Sequence, residues 1–190
     1  QLITDTGCPG LSLLPASTAL ATLERRMIGV EGMGLIVSRA LAQLWDDFDY
    51  VILDNTPSLG VLMVNALAAA QYLVIPVQTE FLAIKGLERM LHTLQMIMRS
   101  QKNELPYMIV PTLYDRRTQA SVKSLNLLRK TYQDTLWRFA VPVDTKFRDA
   151  SQAGVIPSQL DAETHGVRAY DHLLDDLLKR TGSVKERQHG

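Results

Sequence analysis

Short apolar runs alternate along this chain with longer segments of helical period, and that alternation constrains the fold more than any other feature. The run YVIL at 50–53, closed by Asp54, is uninterrupted, as expected of a strand buried on both faces of a parallel sheet. YLVIPV at 72–77 and YMIVPTL at 107–113 repeat the pattern, with shorter runs at 11–14 and 137–141. Pro111 suits a strand only near an edge or an end. Between the runs, Ile84, Leu87, Leu91, Leu94 and Met98 recur at steps of three and four, which predicts a long amphipathic helix over 81–98. The same reasoning predicts helices over 17–27, 35–45, 59–70, 118–132 and 145–152. A last helix carries Val167, Tyr170, Leu173, Leu174, Leu177 and Leu178, before a polar, frayed tail over 182–190. Strands alternating with helices define an α/β fold with a doubly wound, mostly parallel sheet in a Rossmann-like three-layer arrangement. Residues 1–181 read as a single domain.

The chain has 190 residues with 46% hydrophobic and 21% charged side chains, so a disordered chain is excluded. No apolar run reaches the roughly 18 residues of a membrane-spanning helix. Its one cysteine, Cys8, excludes an internal disulfide framework and a cysteine-based zinc or iron–sulfur site within one chain. A reduced, cytoplasmic setting follows as the default. The four histidines (His92, His165, His172, His189) have no metal-ligand spacing. Net charge is zero but uneven. Residues 1–80 hold three basic against eight acidic groups, and residues 81–190 hold seventeen against twelve. Between Arg116 and Arg148 stand eight basic groups against Asp134 and Asp144. Such a stretch suits a polyanion-facing surface or a solvated helix face.

In open α/β sheets, ligands sit beyond the carboxyl ends of the strands. Asp54 falls at that edge, followed by the loop Asn55-Thr-Pro57-Ser58. From spacing alone it reads either as a turn or cap residue, or as a Walker B-type carboxylate orienting a water of nucleotide-bound magnesium.

The run FDYVILDNTPSLGVLMVNALAAAQYLVIPVQTEFLAIKGLERMLHTL from Phe48 resembles the middle of the ParA/MinD family of deviant-Walker P-loop ATPases, on the ParA (Soj-like) side. Four further stretches extend the resemblance in order: CPGLSLLPAS from Cys8, TLYDRRT from Thr112, VPVDTKFRDA from Val141 and GVRAY from Gly166. Together they cover nearly the whole chain. The resemblance implies a P-loop NTPase fold and binding of ATP and Mg2+. It also implies a homodimer, non-specific binding of nucleoid DNA, and slow ATP hydrolysis stimulated by a ParB-like or other adaptor, to partition or position a plasmid, chromosome or protein cluster. Residue by residue, Asp54 matches the catalytic and magnesium-orienting carboxylate, and Pro57, Ser58 and Leu59 match the switch loop behind it. Thr112 and Tyr114 match the turn beside the base, and Pro142, Val143 and Asp144 match the segment against adenine. There Val143-Asp144 replaces the family's Arg-Asn. Arg117, Arg129, Lys130, Lys146 and Arg148 fall nearest the family's DNA contacts. VPVDTKFRDA and PTLYDRR resemble most the branch that places chemotaxis arrays at cell poles.

A P-loop needs G-x-x-x-x-G-K-[ST], whose backbone amides and Lys hold the phosphates. This sequence has no Lys before Lys85, and its glycine cluster at Gly29, Gly32 and Gly34 carries Glu31. The resemblance therefore implies a sheet lacking its P-loop strand at the N-terminal side, with no competent ATPase site in these 190 residues and exposed strand edges prone to aggregation. A non-catalytic ParA-like interaction module is the alternative. A MinD-like membrane ATPase needs a terminal amphipathic helix, and residues 181–190 have no apolar face. Cobyrinate-type amide synthases share the nucleotide-binding fold but need a glutaminase domain, which these residues do not contain.

Overall fold

The computed structural model describes residues 2–20, 22, 26, 33–56, 60–101 and 104–188. The chain divides into two compact units, Gln1–Ala70 and Gln71–Gly190.

In the first unit, β1 (Thr4–Asp5) and β2 (Ser12–Leu13) form a small antiparallel hairpin. Its turn passes through Gly7 and Gly10, both at positive φ, where a side chain would be strained. The turn is tied by the Asp5 carboxylate and Thr6 hydroxyl, which accept the Gly7 and Cys8 amides at 3.0 and 3.2 Å. The run at 11–14 is thus a hairpin arm rather than a strand of the parallel sheet. A 3-10 turn at Met33–Leu35 leads into α1 (Ile36–Ala42), shorter than the expected 35–45. Then α2 (Val61–Ala69) follows, burying Met63, Asn65 and Leu67. Of the expected helix at 17–27, residues 19, 20, 22 and 26 are helical, while 21, 23–25 and 27 lie outside the described residues.

The expected strand at 50–53 is not one. Residues 50–56 carry no ladder, and Ile52 is 91% exposed. An apolar run becomes a strand only when a neighbouring backbone satisfies its amides and carbonyls. Among the described residues none pairs with it.

The second unit is built on β3 (Leu73–Gln78) and β4 (Tyr107–Thr112), parallel and in register from Leu73↔Tyr107 to Gln78↔Thr112. The crossover between them is α3 (Phe81–Gln101), whose Ile84, Leu87, Leu91 and Leu94 are buried as the periodicity required. Residues 136–142 run parallel along the other edge of β4 through isolated bridges Ile109↔Leu136 and Tyr114↔Pro142, rather than as a full strand. Pro111 is buried one residue from the end of β4. Its carbonyl accepts Val141 N–H at 2.9 Å. Met108 and Val110 point to one face and pack with Trp137, Val141 and Leu173. Ile109, alternating with them, is fully buried on the other face.

Around this sheet lie α4 (Gln119–Thr131), α5 (Lys146–Ala153), the short α6 (Pro157–Leu160) and α7 (His165–Gln188). Trp137 is anchored to α7 by its indole N–H, which donates to Asp176 Oδ2 at 3.0 Å. The expected tail over 182–190 is helical through Gln188, a continuation of α7. The parallel sheet with crossover helices is the α/β architecture anticipated.

Candidate functional site

In the second unit, the carboxyl ends of β3, β4 and the 136–142 segment form one rim. Thr79 closes β3, with its amide donating to Thr112 O at 3.1 Å. Beyond Thr112, Leu113 takes a left-handed backbone (φ 51°), a conformation that costs a branched side chain about 1 kcal/mol and needs support from its surroundings.

That support is a buried hydroxyl chain. Asp115 N–H donates to Ser121 Oγ at 3.0 Å, Ser121 and Thr79 share a hydrogen bond of 2.6 Å, and Thr79 Oγ1 donates to Leu113 O at 3.3 Å. With Thr79 donating onward to Leu113, Ser121 supplies the shared proton, so one directed chain closes the 113–115 turn from inside. Thr79 and Ser121 are 1% and 6% exposed, where an unmet polar group is costly. We expect Ser121→Ala to cost about 1–3 kcal/mol in urea unfolding, because it strands the Asp115 amide and a Thr79 lone pair. A neutral Ser121→Ala would show that the chain supports nothing. Sequence reading missed Thr79 and Ser121: 42 residues separate them, and nothing local to either signals the other.

Tyr114 is fixed between strands, its N–H donating to Val141 O and its carbonyl accepting Val143 N–H, both at 3.0 Å. Thr112, Tyr114, Pro142 and Val143 therefore meet on one rim. Asp144 lies beside them, but its carboxylate is turned to main-chain amides: Oδ1 accepts Lys146 N–H at 3.0 Å and Oδ2 accepts Gly166 N–H at 2.9 Å. Burial pushes its pKa up. The amides of Gly166 and Lys146, the Thr164 hydroxyl and the charge of His165 outweigh that and hold it below the usual carboxylate range.

Of the candidate DNA contacts, Arg117 is held by Asp115, with Nε and Nη2 each 2.9 Å from the carboxylate. The Arg117 side chain and amide, together with its charge, hold the Asp115 carboxyl down to about 2. The pairing is thus complete at neutral pH and is lost only as pH falls from 3.8 toward 2. Arg129 and Lys130 lie exposed in the last turn of α4. Lys146 and Arg148 lie exposed in the first turn of α5, Lys146 facing Asp149 at 3.6 Å.

Asp54 belongs to the first unit and is solvent-exposed at the end of the 50–53 run, which lies in no strand. Pro57, Ser58 and Leu59 lie outside the described residues. In that unit Asn65, also unforeseen, accepts the amides of Ile36 and Val37 at 2.9 and 3.3 Å and so fastens the start of α1 to α2. A separate groove of about 400 Å3, lined by Glu88, His92, Tyr107, Tyr132 and Asp134, opens at the amino end of β4, away from the rim.

The residues present do not complete a magnesium–triphosphate site. Asp54 is one suitable carboxylate, but the chain carries no phosphate-binding Lys before Lys85. Among the described residues, no cluster of His, Cys, Asp or Glu could hold a metal ion. No described helix is long and apolar enough to cross a membrane.

The parallel β3–β4 sheet with its flanking helices is an α/β arrangement, and its structural neighbours place it in the P-loop NTPase fold class. A family model described as an AAA domain (AAA_31) matches residues 1–107, and the chain belongs to that family, on its ParA/Soj side. The chromosome-partitioning ATPase Soj of Treponema pallidum is 29% identical over 183 residues, 96% of this chain and 72% of its own. The structure of a cobyrinic acid a,c-diamide synthase from Mycobacterium smegmatis, with bound ATP analog and magnesium, is similar at 32% identity and a TM-score of 0.77. The alignment covers 96% of this chain and 67% of that one. A plasmid partition protein of Borrelia burgdorferi bound to AMPPNP shares the fold at 21% identity and a TM-score of 0.77, over 94% of this chain and 68% of that one.

Proposed function

We propose that this chain is part of a ParA-type partition ATPase that binds ATP and Mg2+, forms a homodimer and binds duplex DNA without sequence preference in the cytoplasm. A ParB-like adaptor stimulates it, and its cargo is a plasmid, a chromosome or a chemotaxis cluster. The observation that carries this reading is the relationship to Soj along 96% of the chain. The rim joining Thr112, Tyr114 and Pro142 supports it. In this reading the rim borders the base, Asp54 orients a magnesium-bound water, and Arg129, Lys130, Lys146 and Arg148 face the phosphate backbone. The phosphate cradle comes from residues other than these 190.

The test has two arms. Asp54→Ala in the ATP-binding protein is expected to lower hydrolysis by about 100-fold or more while duplex DNA binding persists. Joint replacement of Arg129, Lys130, Lys146 and Arg148 by Ala is expected to weaken duplex binding at least about tenfold and to flatten its salt dependence. Unchanged hydrolysis and unchanged DNA affinity would defeat the reading.

The absence of a phosphate-binding Lys before Lys85 favours a second reading, a ParA-like interaction module without nucleotide chemistry. The codons upstream of Gln1 discriminate: an in-frame KGGVGKT-like segment supports the ATPase, and a start codon there supports the module.

A further inference from the structure

The resemblance sets Asp144 against a nucleotide base, yet both of its carboxylate oxygens are spent on the protein's own backbone. Oδ1 accepts the Lys146 amide at 3.0 Å in the first turn of α5, and Oδ2 accepts the Gly166 amide at 2.9 Å in the first turn of α7. Thr145 makes no side-chain cap bond to α5, so Asp144 supplies that acceptor; at α7 the Thr164 hydroxyl accepts the Val167 amide at 3.2 Å, and Asp144 adds a second acceptor from 22 residues away. A carboxylate that accepts amides at helix starts also meets the positive end of each helix dipole.

The fit around this contact is close. A Cβ on Gly166 would stand 2.4 Å from Phe147 Cε2 and 2.9 Å from Asp144 Oδ2, so only glycine lets α7 approach. Phe147 in turn packs against Tyr170 with ring centroids 5.7 Å apart. On the strand side, the segment is held by Val141 N–H to Pro111 O at 2.9 Å and Val143 N–H to Tyr114 O at 3.0 Å. Lys146 and Arg148 are the first and third residues of α5, the helix whose start Asp144 organises.

We propose that Asp144 is a positioning residue: it joins the 141–145 loop to the starts of α5 and α7, and so sets Lys146 and Arg148 for contact with a nucleic-acid backbone. This rests on the DNA reading above. The sign of its effect separates positioning from charge. Asp144 is a negative group beside two cations, so on electrostatics alone its removal strengthens DNA binding. Positioning requires the opposite.

The experiment measures duplex DNA affinity at low salt and amide hydrogen exchange for the parent, Asp144→Ala, Asp144→Asn and Gly166→Ala. Asp144→Ala and Gly166→Ala are expected to bind DNA about three- to tenfold more weakly and to lose at least about tenfold protection at the Val143 and Lys146 amides. The Ile109 and Trp137 amides, bonded at 2.8 Å in the core, are expected to stay protected, which shows that the fold is intact. Asp144→Asn keeps one acceptor oxygen and turns its NH2 toward the other amide, so it holds one helix start instead of two and is expected to retain more exchange protection than Asp144→Ala but less than the parent. Tighter binding by Asp144→Ala, or unchanged exchange at Val143 and Lys146, overturns the proposal. A parent that binds no duplex defeats the DNA reading and with it the role of the clamp, while exchange alone then decides whether the clamp exists.

Discussion

Replacing Ile52 with Asp is expected to raise the soluble yield of the 190-residue chain several-fold and to shift it from aggregate toward a single species in sedimentation. Ile52 is 91% exposed, and Tyr50 and Val51 beside it are 58% and 50% exposed. The substitution therefore removes little packing. What it removes is an apolar, β-prone run of the kind that pairs with other chains. A second such element is β3, which among the described residues is paired on one side only, by β4, and which leaves Val74 37% exposed. A parent chain that is monodisperse and melts cooperatively, with Ile52→Asp unchanged from it, would contradict this account.

The second large effect concerns the helix that carries Arg129 and Lys130. Leu128 is fully buried and Leu127, its neighbour, is 44% exposed. Leu128→Ala is expected to destabilise the chain by about 2–5 kcal/mol in urea unfolding, through lost burial and the cavity left behind. Leu127→Ala is expected to cost less than about 1 kcal/mol. With Leu128 gone, the last turn of α4 loses its hold on the core, and both basic residues lose their fixed place. Equal costs at the two positions would mean that the helix is rotated from the orientation described.

Much of the second unit was legible beforehand because its signals are local and periodic. The spacing of Ile84, Leu87, Leu91 and Leu94 can bury one face only as a helix, and all four are buried. YMIVPT was readable as a strand because β-branched and apolar residues run without interruption, as a centrally placed strand requires. The same logic failed at 50–53, where the run is equally apolar but, among the described residues, no strand pairs along it. The continuation of α7 past residue 181 was also missed, because polar composition resembles a frayed end even where the helical backbone bonds persist.

What the amino-acid order determined by itself is the class of fold, the uneven charge and the kinship to ParA and Soj. These depend on residue type and spacing along the chain. What only the tertiary structure decided is how each polar group is employed. Asp144 bonds Gly166 across 22 residues, and Thr79 meets Ser121 across 42, pairings that no local pattern encodes. A carboxylate shows in sequence that it can accept hydrogen bonds. Which donors reach it is settled by the path of the backbone, and here those donors are the first turns of two helices.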